Sequence, residues 1–469
     1  MTAMPSPSSR RWVRVGLVAA AALLVLAGGA VAFVLLHSPG NVSHPNLEFT
    51  APTVTRAAPK PKVAPPFEWP RYGYNAARTR AFASGRLNPP FRVGWKFDDF
   101  ALLEFPPVIY GRTLFLVDDN GFAKALDAHT GHKLWETKVG TLAAASPALG
   151  VAQGLVFVPI LSTNANARGN QAPGNGKLVA LSMRNGHVVW SRTIPPGTES
   201  SPLAWQNSVY FGDQNGTMYS LRAGDGRVNW TYRAKGAVKG GPALAYGRLY
   251  FGDYAGRAYA LNPANGHQIW AVTTSGAEFG FGSGNFYSTP AVAFGRVYMG
   301  NTDGRVYSFG ARTGNLAWAT TTGAYVYASA AVADVPGVGP TVYEGSYDGN
   351  FYAFNARSGA VRWKYPVGNR ISGSPTIVGN VVYFSALGSR TTIGLDVRSG
   401  HRAFFFPDGA FNPVIADDGA IYLSGYSKLY QLLPKVAAPR AHTARSQSHA
   451  KHRRQARNLK RKVRHKSHK

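Results

Sequence analysis

The sequence predicts an all-β fold, an eight-bladed β-propeller, preceded by one transmembrane helix and followed by a disordered basic tail. Three observations carry that expectation. First, a Gly followed four residues later by Trp recurs at Gly131 and Trp135, Gly186 and Trp190, Gly226 and Trp230, Gly266 and Trp270, Gly314 and Trp318, and Gly359 and Trp363. A degenerate copy pairs Gly400 with Phe404, and the successive Trp residues lie 55, 40, 40, 48 and 45 positions apart. That period accommodates four short strands and their turns, which is the signature of a repeat architecture. Second, residues 15–36, opening at Val15 and closing at Leu36, hold no charged residue. Third, residues 435–469 hold thirteen Lys and Arg and no acid.

Composition agrees with a single large β body. The 469 residues are 45% apolar and 12% aromatic, with 53 Gly and 31 Pro, enough apolar surface for an extended core and enough turn formers for many short strands. There is no Cys, which excludes disulfides, thiolate metal sites and a Cys nucleophile. The formal net charge of +29 is uneven, because residues 1–66 carry six bases against one acid and the tail thirteen against none. The remaining body has 32 bases and 21 acids, so the excess is largely in the tail and does not make the body a nucleic-acid binder.

Taken in order, residues 1–14 read as a cytoplasmic N-terminus. The apolar run 15–36 is long enough to cross a hydrocarbon core of roughly 30 Å. Arg10, Arg11 and Arg14 precede it and the next base after it is Arg56, so the positive-inside bias places everything after Leu36 on the extracytoplasmic side. A cleaved signal peptide is the competing expectation, with small residues at 27–30, but the apolar run continues beyond them. Residues 37–66, rich in Pro and Ala, lack a strand period and are expected to be a semi-extended spacer. Residues 67–434 are the propeller and 435–469 the tail.

Each repeat parses into four strands, A to D. The third copy reads as 202–205, 208–212, 217–221 and 228–232, with turns between them that contain Asn, Asp and Gly. An eighth unit beginning near Phe411 lacks its own outer strand, and the orphan Trp95 in Val93-Gly94-Trp95-Lys96-Phe97 supplies one. This closure joins the two ends of the chain and removes the open sheet edges.

The repeat Ala-Leu-Asp-Ala-x-Thr-Gly-x-x-x-Trp, at 125–135, resembles the tryptophan-docking motif of the quinoprotein-like (PQQ-binding-like repeat) eight-bladed propellers. The opening Trp69-Pro70-Arg71-Tyr72-Gly73, with Arg78 and Thr79, is similar to that family's first segment. The resemblance spans about residues 69–433 and implies the fold. The family includes quinone-cofactor dehydrogenases, a lipoprotein of the outer-membrane barrel-assembly machinery and many binding proteins, so the fold leaves function open. A dehydrogenase of this kind would carry an adjacent Cys pair, a calcium cage of carboxylates and amides, and an Asp base. The Cys pair is missing here.

Register separates architecture from site. His132, His187, His267 and His401 each follow the repeat Gly, so they occupy one turn in four different blades and cannot share a metal. Asp118, Asp213 and Asp253 share a B to C turn where a short carboxylate bonds its own backbone. Trp95, Trp135, Trp190, Trp230, Trp270, Trp318 and Trp363 recur once per blade and are expected to be structural docking residues wedged between neighbours.

Departures from register cluster on the face shared by the D to A and B to C connections. The second repeat has a long stretch containing Asn164, Asn166, Arg168, Asn170 and Gln171. The loop after Trp270 holds Glu278, Phe279, Phe281 and Asn285, and the seventh unit contributes Arg390. Three residues before each inner strand's Pro, or before Ala330 in the sixth unit, the ring reads Leu103, Ala144, Glu199, Lys239, Tyr287, Tyr327, Ser372 and Ala410. Glu199, Lys239, Tyr287, Tyr327, Asn164, Arg168, Glu278, Asn285 and Arg390 are therefore the candidate ligand-binding residues. No catalytic or metal-ligating set emerges. The expected function is a membrane-anchored, extracytoplasmic binding or scaffold module of the cell envelope, with no cofactor. The alternative is a PQQ-dependent quinoprotein oxidoreductase using calcium. Envelope proteins or an anionic wall polymer are the expected partners, the tail supplying counter-charge to the polymer.

Overall fold

The computed structural model describes residues 40–52, 66–164, 175–274, 284–409, 411, 412 and 414–435, together with Leu23 and Leu24. The rest of the apolar run 15–36 and the tail beyond Lys435 lie outside the described residues. Among the described residues no helix is long and apolar enough to cross a membrane.

Eight antiparallel sheets form the ring, each with its strands hydrogen-bonded in the order A, B, C, D. The third blade comprises Leu203–Trp205, Ser208–Gly212, Thr217–Arg222 and Val228–Arg233, within a residue or so of the sequence-based parse. Middle strands are almost wholly buried because both of their faces pack on neighbouring blades, whereas the outer strand alternates towards solvent. The eighth blade closes as expected. Phe91–Asp98 pairs antiparallel with Lys428–Pro434, running from Phe91 opposite Pro434 to Asp98 opposite Lys428.

Blades are fastened by the recurring Gly and Trp, but across the junction rather than within one unit. Each indole lies against the Gly of the following blade: Trp95 on Gly131, Trp135 on Gly186, Trp190 on Gly226, Trp230 on Gly266, Trp270 on Gly314, Trp318 on Gly359 and Trp363 on Gly400. These glycines have φ between +70° and +77°, and a methyl group at any of them would come within 2.5 to 2.8 Å of its nearest neighbour, the indole at nearly every junction. Turn geometry and ring contact therefore both demand Gly. Six indoles also donate Nε1–H to a backbone carbonyl of the next blade, from Trp95 to Ala128 at 3.0 Å round to Trp318 with Ala356 at 2.9 Å. Trp363 Nε1 has no partner, and Val397 O accepts the Tyr343 hydroxyl instead. An aromatic on strand B backs every Trp fastener: Phe115, Phe157, Tyr210, Tyr250, Tyr298, Tyr343 and Tyr422 stand 5.7 to 6.0 Å from the Trp of their own blade.

The axial channel is threaded from the far face by the segment that precedes the first blade. Glu68–Trp69 pairs with the inner strand Val108–Tyr110. The amides of Leu149, Leu244, Val292, Val332 and Ile377 then donate to the carbonyls of Pro70, Ala76, Ala77, Thr79 and Arg80, all at 2.8 to 2.9 Å. Inner strands have no further sheet neighbour, so their inward N–H groups need acceptors, and this coil supplies them blade after blade. Arg78 is fully buried and donates to the carbonyls of Tyr72, Ser201, Pro202 and Pro242. It has no carboxylate partner; burial, with Arg71 and Arg80 nearby, pushes its pKa down.

The expectation of a semi-extended spacer without strand before the propeller needs correcting at residues 40–52. Val42–Ser43 adds a strand to the outer edge of the fifth blade, pairing with Ala319 and Trp318. Arg296 donates to the carbonyls of His44, Pro45 and Leu47, and Phe49 lies under the guanidinium groups of Arg296 and Arg357. The Glu48 carboxylate takes Arg312 N–H and the Thr313 hydroxyl. A two-residue strand has no readable period; side-chain and carbonyl contacts to blades five and six order the segment.

Candidate ligand-binding cup

Above the threaded segment the ring opens into a cavity of about 790 Å³ on the face of the D to A and B to C connections. Its walls come from connections just before the inner strands, where eight chains converge on the axis. The floor includes Tyr72, whose hydroxyl bonds Ser374 Oγ at 2.7 Å and Asn412 Oδ1 at 2.8 Å. Glu104, Glu199, Lys239, Tyr287, Tyr327, Arg370 and Ser372 project from connections, and Tyr254 and Tyr347 from B to C turns.

One wall is acidic. Lys239 Nζ lies 3.2 Å from Glu199 Oε1, which also accepts from Gln214, while the Tyr287 hydroxyl approaches Oε2 at 3.5 Å. The Glu199 side chain is almost completely buried, so this pair is held in a low-dielectric site. Glu104 has no such cation. Burial first, and then the charges of Asp119 and Glu199, raise its pKa to about 7. Adjoining it is an arc of tyrosines. Ring centroids run 6.2 Å from Tyr254 to Tyr287, 5.7 Å on to Tyr327 and 4.9 Å on to Tyr347. Burial raises the pKa values of Tyr254 and Tyr287, helped by Glu199, so these phenols stay protonated as donors. Lys239 caps one end of the arc over Tyr254 at 5.0 Å and Arg370 the other over Tyr347 at 5.7 Å.

Of the residues singled out in the sequence, Glu199, Lys239, Tyr287 and Tyr327 come together here. Asn164 does not line the cup; its N–H bonds Ser162 Oγ and its carbonyl accepts from Thr141. Asn285 pairs through its backbone with Thr302. The Arg390 guanidinium lies 3.8 Å from the Tyr426 ring centroid. Arg168 and Glu278 lie outside the described residues, as does Ala410. Leu103 and Ala144 are buried elsewhere in the core. Sequence reasoning missed Glu104, Tyr254, Tyr347 and Arg370. A signal for part of this existed, since the residue after the turn Asp reads Asp119, Gln214 and Tyr254 in three blades, and two of these act on the acidic wall. The turn aspartates themselves are architectural: Asp213 Oδ1 accepts from Asn215 and Thr217 N–H, and Asp253 Oδ1 from Ala255 and Arg257.

The cup can bind a polar, aromatic-faced or charged group, and its one near-neutral carboxyl can exchange a proton. No His lines it. Among the described residues no group of three or more His, Asp or Glu is placed to hold a metal.

Comparison with known proteins agrees with this architecture. The family model described as outer membrane protein assembly factor BamB matches residues 92–204, 175–337 and 327–435. The chain belongs to this family. No curated protein sequence matches it. Among solved structures, BamB from Moraxella catarrhalis superposes with a TM-score of 0.59 at 16% identity, covering 73% of this chain and 100% of that one. A europium-containing methanol dehydrogenase gives 0.63 at 14%, covering 78% and 98%. The quinohemoprotein alcohol dehydrogenase of Comamonas testosteroni gives 0.61 at 13%, covering 80% and 82%. At these identities the likeness is one of fold.

Proposed function

We propose that this BamB-family chain is a membrane-tethered, extracytoplasmic binding or scaffold propeller of the cell envelope, with the axial cup as its ligand site. The carrying observation is the cup itself, where Glu104, Glu199, Lys239 and four tyrosines converge above a channel already filled by the chain's own residues. The family's description as an assembly factor supports a protein partner. The uncharged run 15–36 supports the tether, and the thirteen bases after Pro434 support an auxiliary contact with anionic wall polymer.

Capture from solubilised envelopes tests this. A doubly substituted Tyr287→Ala, Tyr327→Ala protein that unfolds at close to the parent temperature should lose the captured partner, and removal of residues 436–469 should leave it. Equal capture by both variants and the parent would overturn the cup as the binding site.

The dehydrogenase neighbours raise a second possibility, a quinone cofactor with calcium. On our reading the donor set does not fit it. Glu199 is already engaged by Lys239 and Gln214, and Asn412 Oδ1 by Tyr72 and Ser374 N–H. Among the described residues that line the cup, Glu104 is then the one carboxylate left uncommitted, and a polyanionic quinone would face that unpaired acid. Incubation with quinone and Ca²⁺ is expected to give no bound-cofactor absorption.

A further inference from the structure

We infer that the cup takes a cationic ligand, with an alkylammonium or guanidinium group seated against Glu104 and its carbon body laid along Tyr254, Tyr287 and Tyr327. This rests on the cup being the binding site, and adds the chemistry of what enters it.

Charge is unevenly satisfied inside the cup. Glu199 and Lys239 neutralise each other at 3.2 Å. Glu104, which lines the same cup, makes no side-chain hydrogen bond or ion pair among the described residues, and the charges that act on it are those of two further acids, Asp119 and Glu199. A mostly buried carboxylate whose charged neighbours repel it is stabilised by an incoming cation. The adjoining arc presents ring faces, and cations are drawn to the faces of tyrosines. The protein's own side chains already use that attraction at both ends of the arc, Lys239 over Tyr254 and Arg370 over Tyr347. Between them Tyr287 and Tyr327, with centroids 5.7 Å apart at an interplanar angle of 84°, offer a face and an edge to an aliphatic body. Arg370 is exposed, over Tyr347, and is not among the charges that act on Glu104.

Binding is then linked to protonation. A cation favours ionised Glu104, so association below pH 7 displaces a proton, and affinity rises with pH by up to about tenfold per unit until Glu104 is ionised in the free protein. The groups facing Glu104 are Asp119 and Glu199, the latter shared with Lys239 and Tyr287.

Calorimetric titration of the full chain with 1,5-diaminopentane and with glutarate, a dianion of the same length, tests the inference. The diamine should bind at millimolar concentration and glutarate should not. At pH 6.5 the heat should vary with buffer ionisation enthalpy in the sense of proton release. Glu104→Gln, checked for an unchanged unfolding temperature, should weaken diamine binding tenfold or more and abolish proton release, while Tyr327→Leu should weaken binding and keep it. Binding of glutarate in place of the diamine, absence of diamine binding, or unchanged behaviour of Glu104→Gln would each overturn the cationic ligand. The envelope-capture experiment separates this from the parent idea: capture lost in the tyrosine variant without any diamine binding sinks the ligand class and leaves the site standing.

Discussion

The fasteners show how one residue type can carry different energies around a ring. Trp230 Nε1 donates to Pro263 O at 2.9 Å, whereas Trp363 Nε1 is buried without a partner. Replacing Trp by Phe removes a hydrogen bond at the first site and an orphaned donor at the second. Trp230→Phe should therefore cost about 1 kcal/mol more than Trp363→Phe, the usual net value of one hydrogen bond, measurable by denaturant titration. The chain makes a similar change at Phe404, where Tyr383 also loses a hydroxyl partner. Gly226→Ala is a sharper test, because it needs both a positive φ and space occupied by the Trp190 ring at 2.7 Å. A loss of about 2–4 kcal/mol is expected from strain and overpacking together. Buried Glu344 behaves differently. Its oxygens have no side-chain hydrogen-bond partner among the described residues, and burial pushes its pKa well above the usual range, with Arg80 and the Gly345 N–H only partly opposing. A carboxyl whose folded pKa is raised contributes stability at pH below the unfolded value of about 4.3 that is lost as pH rises. Glu344→Gln should therefore gain in unfolding temperature over the parent between pH 5 and pH 8.

At the scale of elements, the strands and their order were legible and the threaded segment was not. Alternating turn residues and a Trp at fixed spacing disclose every blade, because each repeat must solve the same packing problem. The closing strand could be found for the same reason, since Trp95 has no other role in the pattern. Residues 70–82 have no repeat and no strand period; their carbonyls, which any residue possesses, supply the bonds. That leaves Arg78 as the side chain to test. Its loss would strand four buried carbonyls, so Arg78→Met should cost about 3 kcal/mol or more while the blades keep their far-ultraviolet dichroism. The candidate site was half legible. Counting back three residues from each inner-strand Pro, or from Ala330, found Glu199, Lys239, Tyr287 and Tyr327, but selected Leu103 where the chain uses Glu104. Tyr254 and Tyr347 sit in turns whose neighbouring Asp and Gly are architectural, which hid their direction.

For the whole molecule, stability depends on two ends that meet. Phe91–Asp98 covers the last sheet edge along its full length, and its loss would expose Lys428–Pro434 as a template for pairing. A chain beginning after residue 98 should aggregate on purification, read by light scattering, whereas one beginning at residue 53 should stay monodisperse with a modestly lower unfolding temperature. The fold is thus expected to tolerate loss of residues 40–52, the clasp on blades five and six, and not of the closing strand.

The clasp nevertheless fixes a direction. Asn41 Oδ1 takes Thr321 N–H at the cup end of the fifth blade's outer strand, and by Glu48 the chain has descended to Arg312 and Thr313 at the opposite end. The described chain therefore begins, at Gly40 and Asn41, on the side on which the cup opens. For a chain held in a bilayer up to Leu36, the four steps to Gly40 reach at most about 14 Å, and the rim at Tyr325 would be held close to the lipid surface. A fluorophore at Tyr325 should be quenched by headgroup-labelled lipid more strongly than one at Tyr246 on the far face, both positions being about half exposed to solvent.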